Sequence, residues 1–336
     1  MRILVTGGAG YVGSVSVEAL VAGGDEVVVL DDLSTGHDWA NLAGARLVRG
    51  SYGDGDRVAR LLRDEGIEAV LHCGARSLVG ESVADPARYY GNNVAGGLAL
   101  LEAMRETGVR RLVISSTAAV YGAPEVTPIP EDAPLRPINP YGETKRTLET
   151  AADWYGRAYG LRSVSLRYFN VAGASAGNGE VHRPETHLIP NVLAVAAGDG
   201  RPLTLFGDDY PTPDGTPIRD YLHVEDLAEA HRAALAATAS DDPRTDSALA
   251  CNLGSGRGFS VREVLAAAER VVGRPIPQVM GPRRAGDPPV LVAAIDRARD
   301  VLGWTPRRST LEAMIGSAWA WRRSHADRLG PDRPAT

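Results

Sequence analysis

Lysine is nearly missing from this chain. Its 336 residues carry 36 basic side chains, and all but one are arginine; the exception is Lys145. Cysteine is almost as scarce: Cys73 and Cys251 offer neither a metal-ligand spacing nor a disulfide framework, which points to a reducing compartment. No stretch approaches 18 consecutive apolar residues, so no membrane span is expected. No block of like charge occurs, and the net charge of −6 argues against a nucleic-acid surface. The opening "MRILVTGG" enters an apolar run at once, without the charged, apolar and small regions of a secretory signal. Internal repeats are also missing. The expectation is a soluble cytoplasmic globular protein with no nucleic-acid or membrane partner. Its 44% hydrophobic content is ample for a large core, and its length suits two domains of roughly 100–200 residues.

What is present is an alternation of short apolar runs and longer helical stretches. "RILVTGG" (2–8), "EVVVLDD" (26–32), "AVLHCGA" (69–75), "RLVISST" (111–117) and "RSVSLRYFN" (162–170) read as buried strands. Helices are predicted near 12–22, 55–65, 92–107 and 141–159. Strand–helix alternation implies right-handed crossovers, hence an α/β fold with a Rossmann-type doubly wound parallel sheet. Such a sheet takes its ligands beyond the carboxyl ends of its strands. Beyond about residue 171, turn-rich segments such as "GDDYPTPDGTP" and "GPRRAGDPP" predict a smaller C-terminal α/β substrate-binding domain. The expected division is 1–175 and 176–336, with some later segments packing back on the first domain and a frayed tail over 324–336.

"TGGAGYVG" places Gly7, Gly10 and Gly13 between the first strand and the first helix. Glycine there permits the tight turn and a close approach of backbone N–H groups to a pyrophosphate. Asp31 ends the second strand, where a carboxylate accepts from ribose hydroxyls. No arginine or lysine follows it through His37 to neutralise a 2′-phosphate, so the expected cofactor is NAD rather than NADP.

In "PYGETKR", Tyr141 and Lys145 stand at i and i+4 of a predicted helix and share a face. A chain that writes arginine everywhere else keeps here a compact ammonium. Lowering a phenol pKa from about 10 by about 3 units takes roughly 4 kcal/mol. One charge about 4 Å away at an effective dielectric near 20 supplies about that much. Lys145 therefore has two candidate tasks, activating Tyr141 and donating to a nicotinamide ribose. A hydroxyl to share the proton comes from "SSTAAVYG"; alternation sends Ser116 and Thr117 to opposite faces, and Thr117 is the choice.

The glycine turn, Asp31, "SSTAAVYG" and "PYGETK" resemble the extended short-chain dehydrogenase/reductase superfamily. "GGAGYVGS", "VGESV", "YYGNNV", "LRYFNVAGA", "FGDDYPTPDGTPIRDYLHVEDLA", "NLGSG" and "PRRAGDPP" resemble, more narrowly, its UDP-glucose 4-epimerase family, from residue 1 to about 320. The resemblance implies interconversion of UDP-galactose and UDP-glucose through a transient 4-keto sugar, with tightly held NAD and Tyr141, Lys145 and Thr117 as catalytic residues. It implies cofactor contacts from Gly7, Gly10, Tyr11, Val12, Gly13, Asp31, Asp32, Ser51, Arg76, Asn93, Ser115, Tyr141, Lys145 and Tyr168. It implies substrate contacts from Thr117, Tyr141, Phe169, Asn170, His187, Leu188, Phe206, Arg219, Tyr221, Arg284, Asp287 and Leu291, with no metal.

Members of the family are commonly homodimers. Four positions depart from its pattern: Thr117 replaces a serine, Ser51 an aspartate near the adenine, and Arg76 takes the place of a lysine. Leu291 stands where some relatives have a tyrosine, which opens the alternative of UDP-N-acetylhexosamine substrates. Ala118 and Ala119 replace the acid pair that a dehydratase of this fold needs. A non-catalytic NAD(P) sensor is the more distant alternative, and retention of both Tyr141 and Lys145 argues against it.

Overall fold

The structure, a computed structural model, describes residues 1–198, 201–239, 248–284 and 286–329. The first half runs β1 (Arg2–Thr6), α1 (Tyr11–Ala22), β2 (Glu26–Asp31), β3 (Arg46–Arg49), α2 (Gly55–Asp64) and β4 (Ala69–His72). It continues with α3 (Val79–Ala84), α4 (Pro86–Tyr89), one π-helical segment (Tyr90–Ala95), α5 (Gly96–Thr107), β5 (Arg111–Thr117), α6 (Pro140–Tyr159) and β6 (Arg162–Tyr168). The second half holds β7 (Asn170–Ala172), α7 (Leu188–Ala197), β8 (Leu203–Phe206), β9 (Ile218–His223), α8 (Val224–Ala237) and β10 (Ala248–Leu253). It ends with β11 (Gly258–Ser260), α9 (Val261–Val272), β12 (Gln278–Gly281), β13 (Val290–Leu291), α10 (Asp296–Leu302), α11 (Leu311–Ser324) and α12 (Ala326–Leu329). Of the tail expected to fray, 326–329 form a short helical turn and 330–336 lie outside the described residues.

Seven strands form one parallel sheet in the order β10-β6-β5-β4-β1-β2-β3. The strands are apolar on both faces because helices cover both. Ile3, Val5, Val29, Leu71 and Val113 face a core shared with Val17, Leu20, Leu227 and Leu235, contributed by α1 and α8. Their neighbours Leu4, Val28, Val70, Leu112 and Ile114 face Val58, Leu62, Leu101, Met104 and Leu148 from α2, α5 and α6. Three elements of the later half, β10, α8 and α10, thus build on the sheet begun by the first. The separate core of the second lobe joins α7, α9 and α11 to β8 and β9. Strand order reverses between β1 and β4, which opens the ligand crevice of a doubly wound sheet at that point.

Candidate active site

The crevice floor is the turn from β1 into α1. Gly7 has φ +69°, and a Cβ there would lie 2.5 Å from the backbone nitrogen of Gly74, at the end of β4. A Cβ on Gly13 would overlap the carbonyl oxygen of Gly7. The turn therefore accepts glycine alone, and it presents the open N-terminus of α1. Gly10 caps that helix without a side-chain bond, and no acidic residue stands in its first turn. Free N–H groups without a competing carboxylate suit a diphosphate. Tyr11 and Val12 begin the helix; the Tyr11 hydroxyl is directed to the Gly173 carbonyl, 2.6 Å away.

Asp31, 7% exposed, accepts from Ala9 N (2.9 Å) and Leu33 N (2.8 Å). It binds the glycine turn to the end of β2. Burial raises its pKa against the lowering pull of those two amides. Each carboxylate oxygen retains a lone pair that can accept from a ribose hydroxyl. These features fit NAD. Asp32 caps Ser34 N, and Ser51 is exposed with its hydroxyl accepting from Gly53 N.

The side chains expected to react gather at the end of β5. Tyr141 and Thr117 are each 8% exposed, and the threonine hydroxyl is near enough to the phenol to act on its pKa. Burial raises the Tyr141 pKa and Thr117 lowers it. Ser116 turns away, donating to Glu149. The geometry adds a partner for Lys145 that spacing alone did not indicate. Lys145, only 3% exposed, donates from its ammonium to the Ser115 carbonyl at 2.7 Å. A shared helix face fixes where two side chains begin; Tyr141 reaches to Thr117 and Lys145 across to the strand end. Burial lowers the lysine pKa to about 8, opposed by Cys73 and Glu149.

Asn93 is held entirely by partners within the chain. It lies in the π-helical segment, 2% exposed. Its carbonyl accepts from Arg76 N and Asn92 Nδ2, while its amide donates to the Arg76 carbonyl and the Thr144 hydroxyl. All four of its bonding positions are used within the chain. Asn93 thereby ties the segment after β4 to α6 and positions Arg76, whose guanidinium lies 3.9 Å from Glu81.

Several site residues escaped the sequence reading. His72 and His231 are wholly buried, their pKa values pushed down by burial to about 3, so both are neutral. His72 bonds Thr6 at 2.7 Å; His231 lies 2.9 Å from the Ser16 hydroxyl and 3.4 Å from that of Ser115. Burial raises the Tyr168 pKa, and Ser115 pulls it the other way. Lys145 is thus surrounded by uncharged groups on the strand side, with Glu149 behind it on α6. Glu149 pairs with Arg167 at 2.6 Å, side chains 8% and 7% exposed. "VLHCGA" at a strand end was a readable signal for His72; a histidine inside an ordinary helix gave none for His231.

Several residues expected at the substrate are organised along β9. Arg219 is opposite Leu291 of β13, and Tyr221 is opposite Asn170 of β7. Asn170 donates to the Asp220 carbonyl at 2.9 Å, and burial raises the Tyr221 pKa to about 12. Arg219 pairs with Asp287 at 2.5 Å, and Arg284 lies 4.3 Å over the ring of Phe206, itself 38% exposed. Leu291 and Phe169 share an apolar cluster with Ala118, Val120 and Tyr121, bringing this lobe against the segment after Thr117. His187 caps α7 and Leu188 begins it; the His187 ring is held by Glu180 and Glu185.

Three comparisons bear on this arrangement. A model of the NAD dependent epimerase/dehydratase family matches residues 3–250. The UDP-glucose 4-epimerase of Streptomyces lividans is 53% identical over 325 residues, covering 96% of this chain and 97% of that one. Among solved structures, that of UDP-glucose 4-epimerase from Brucella ovis in complex with NAD superposes with a TM-score of 0.91 at 45% identity, over 95% of this chain and 98% of the other. That of the Bifidobacterium longum enzyme in complex with NAD+ and UDP gives 0.90 at 34% identity, over 97% and 99%.

Proposed function

Since the chain belongs to the NAD dependent epimerase/dehydratase family, we infer that it is an isomerase inverting carbon 4 of UDP-galactose and UDP-glucose. The observation that carries the reading is the gathering of buried Tyr141, Thr117 and Lys145 at the end of β5, followed by Ala118 and Ala119 where elimination would need acids. Bound NAD supplies a reversible acceptor for the hydrogen of carbon 4. The chain supplies the rest. Tyr141 takes the proton of the 4-hydroxyl, relayed through Thr117, and returns it once the 4-keto sugar has turned in the pocket. Lys145 holds the end of β5 through Ser115 and keeps two further N–H donors for a ribose. With His72 and His231 neutral, the ammonium of Lys145 and the positive charge of an oxidised nicotinamide would together favour the phenolate.

On the substrate side, Phe206 with Arg284 offers an apolar face and a forked donor to a uridine diphosphate. Arg219 exchanges its Asp287 partner for a phosphate, a bidentate role suited to arginine. Leu291 and Phe169 wall the sugar. We place Gly7, Gly10 and Gly13 at the diphosphate of NAD, and Asp31 at its ribose.

The chain further acts as a cytoplasmic homodimer in this reading. Trp154 and Tyr159 on α6 are 62% and 51% exposed and Leu98 on α5 is 40% exposed, an apolar surface suited to a second copy. The thiols of Cys73 and Cys251 are free, as a reducing compartment favours. Among the described residues no helix is long and apolar enough to cross a membrane.

The test is incubation of purified protein with UDP-galactose and no added cofactor, with UDP-glucose as the readout. Product supports an epimerase that retains NAD, and Tyr141→Phe should lower kcat by about 10²–10⁴. No product even with NAD supplied would overturn the reading.

A further inference from the structure

Between β7 and α7, residues 173–187 run without regular secondary structure beside the glycine turn. The first part of this loop is pinned by ordinary hydrogen bonds. Tyr11 donates to the Gly173 carbonyl, and Asn178, 1% exposed, bonds Glu18 and the backbone of Asn41. The second part is held differently. Glu180, His182, Glu185 and His187 turn inward together, with one donor atom from each lying within 4.8 Å of all the others.

Both imidazoles present Nδ1. That of His182 lies 3.2 Å from Glu180 and 3.5 Å from Glu185, and that of His187 lies 2.9 Å and 2.8 Å from the same two carboxylates. Four ligands at about 2.0–2.1 Å around a tetrahedral ion stand about 3.3–3.4 Å apart. These four histidine–glutamate separations bracket that edge, and the remaining donor pairs stay within 4.8 Å. The carboxylates are largely buried, with side chains 8% and 11% exposed. His182 Nδ1 is itself buried and makes no hydrogen bond, although it faces both carboxylates. Glu185 Oε1 is further oriented by the N–H groups of Thr186 and His187, the outer-shell support common to metal ligands.

We propose that Glu180, His182, Glu185 and His187 form a closed four-ligand site for a divalent transition cation of the zinc class, fixing the loop beside the glycine turn. Two imidazoles with two carboxylates suit zinc; magnesium and calcium prefer oxygen alone. The two carboxylate charges neutralise a divalent ion once the imidazoles bind as neutral ligands. With four protein ligands no position stays open, so the ion's role is structural. His187 also caps α7, so the ion joins the loop to the helix carrying Leu188.

The experiment reads metal rather than turnover, so its failure is distinct from failure of the epimerase assignment. Full-length protein is treated with EDTA, desalted and titrated with Zn2+, and Co2+ is added in parallel for its visible spectrum. The expected result is one tight equivalent per chain, tetrahedral cobalt bands, and a melting temperature that falls with EDTA and recovers with Zn2+. Glu185→Gln and His182→Gln should each weaken binding at least about tenfold. Should either fail to fold, the EDTA and Zn2+ cycle on the unmutated protein decides alone. No stoichiometric Zn2+ binding and no shift in melting temperature would overturn the site and leave a histidine–glutamate ion-pair cluster.

Discussion

Replacing Lys145 with methionine should make the nucleotide-free protein more stable while abolishing its activity. The ammonium is 3% exposed, and burial lowers its pKa from 10.5 to about 8. Below pH 8 the native and unfolded chains both carry the charge, and the native state bears its full desolvation cost. Between about 8 and 10.5 the unfolded chain binds the extra proton, so stability rises with pH across that window; above it the cost is gone. The interval corresponds to about 3 kcal/mol. Methionine has a similar length and no charge, but forfeits the hydrogen bond to the Ser115 carbonyl, worth about 1 kcal/mol net. The variant should therefore gain about 2 kcal/mol at pH 7, or about 3 °C in Tm for a chain of this size. The gain should shrink towards zero or reverse by pH 10. Urea denaturation of both proteins at pH 7, 8.5 and 10 measures this. A variant less stable than its parent at pH 7, or a difference constant with pH, would refute the reasoning.

Two further outcomes follow from the same geometry. Gly13→Ala places a methyl group against the Gly7 carbonyl and should yield protein purified without nucleotide, read from its absorbance at 260 relative to 280 nm; undiminished nucleotide content would show that the turn accommodates a side chain. Glu149→Gln leaves Arg167 buried without its counter-charge and should cost about 3–5 kcal/mol in chemical denaturation. A loss below about 1 kcal/mol would mean that the Tyr121 hydroxyl and the Glu131 carbonyl, which also accept from Arg167, suffice.

Much of this molecule was legible in order along the chain. Strand–helix alternation dictated the doubly wound sheet, because runs such as "EVVVLDD" have no polar face and must be covered on both sides. The glycine spacing marked the turn, because a β-carbon at Gly7 or Gly13 has no room. The solitary lysine marked a buried position at the end of β5, where the proposed chemistry would take place. What remained illegible depended on meetings between residues far apart in sequence. Strand β10 was invisible as a sheet strand because its place beside β6 is set by a long return of the chain, not by its own composition. His231 reaches Ser115 from 116 positions away, and Asn93 spends its amide on Arg76 and Thr144. Even for Lys145 the sequence determined only the residue and its helix face. Tertiary packing decided its bonding partner, the Ser115 carbonyl, because a flexible side chain in a dry interior takes the nearest acceptor that satisfies its charge.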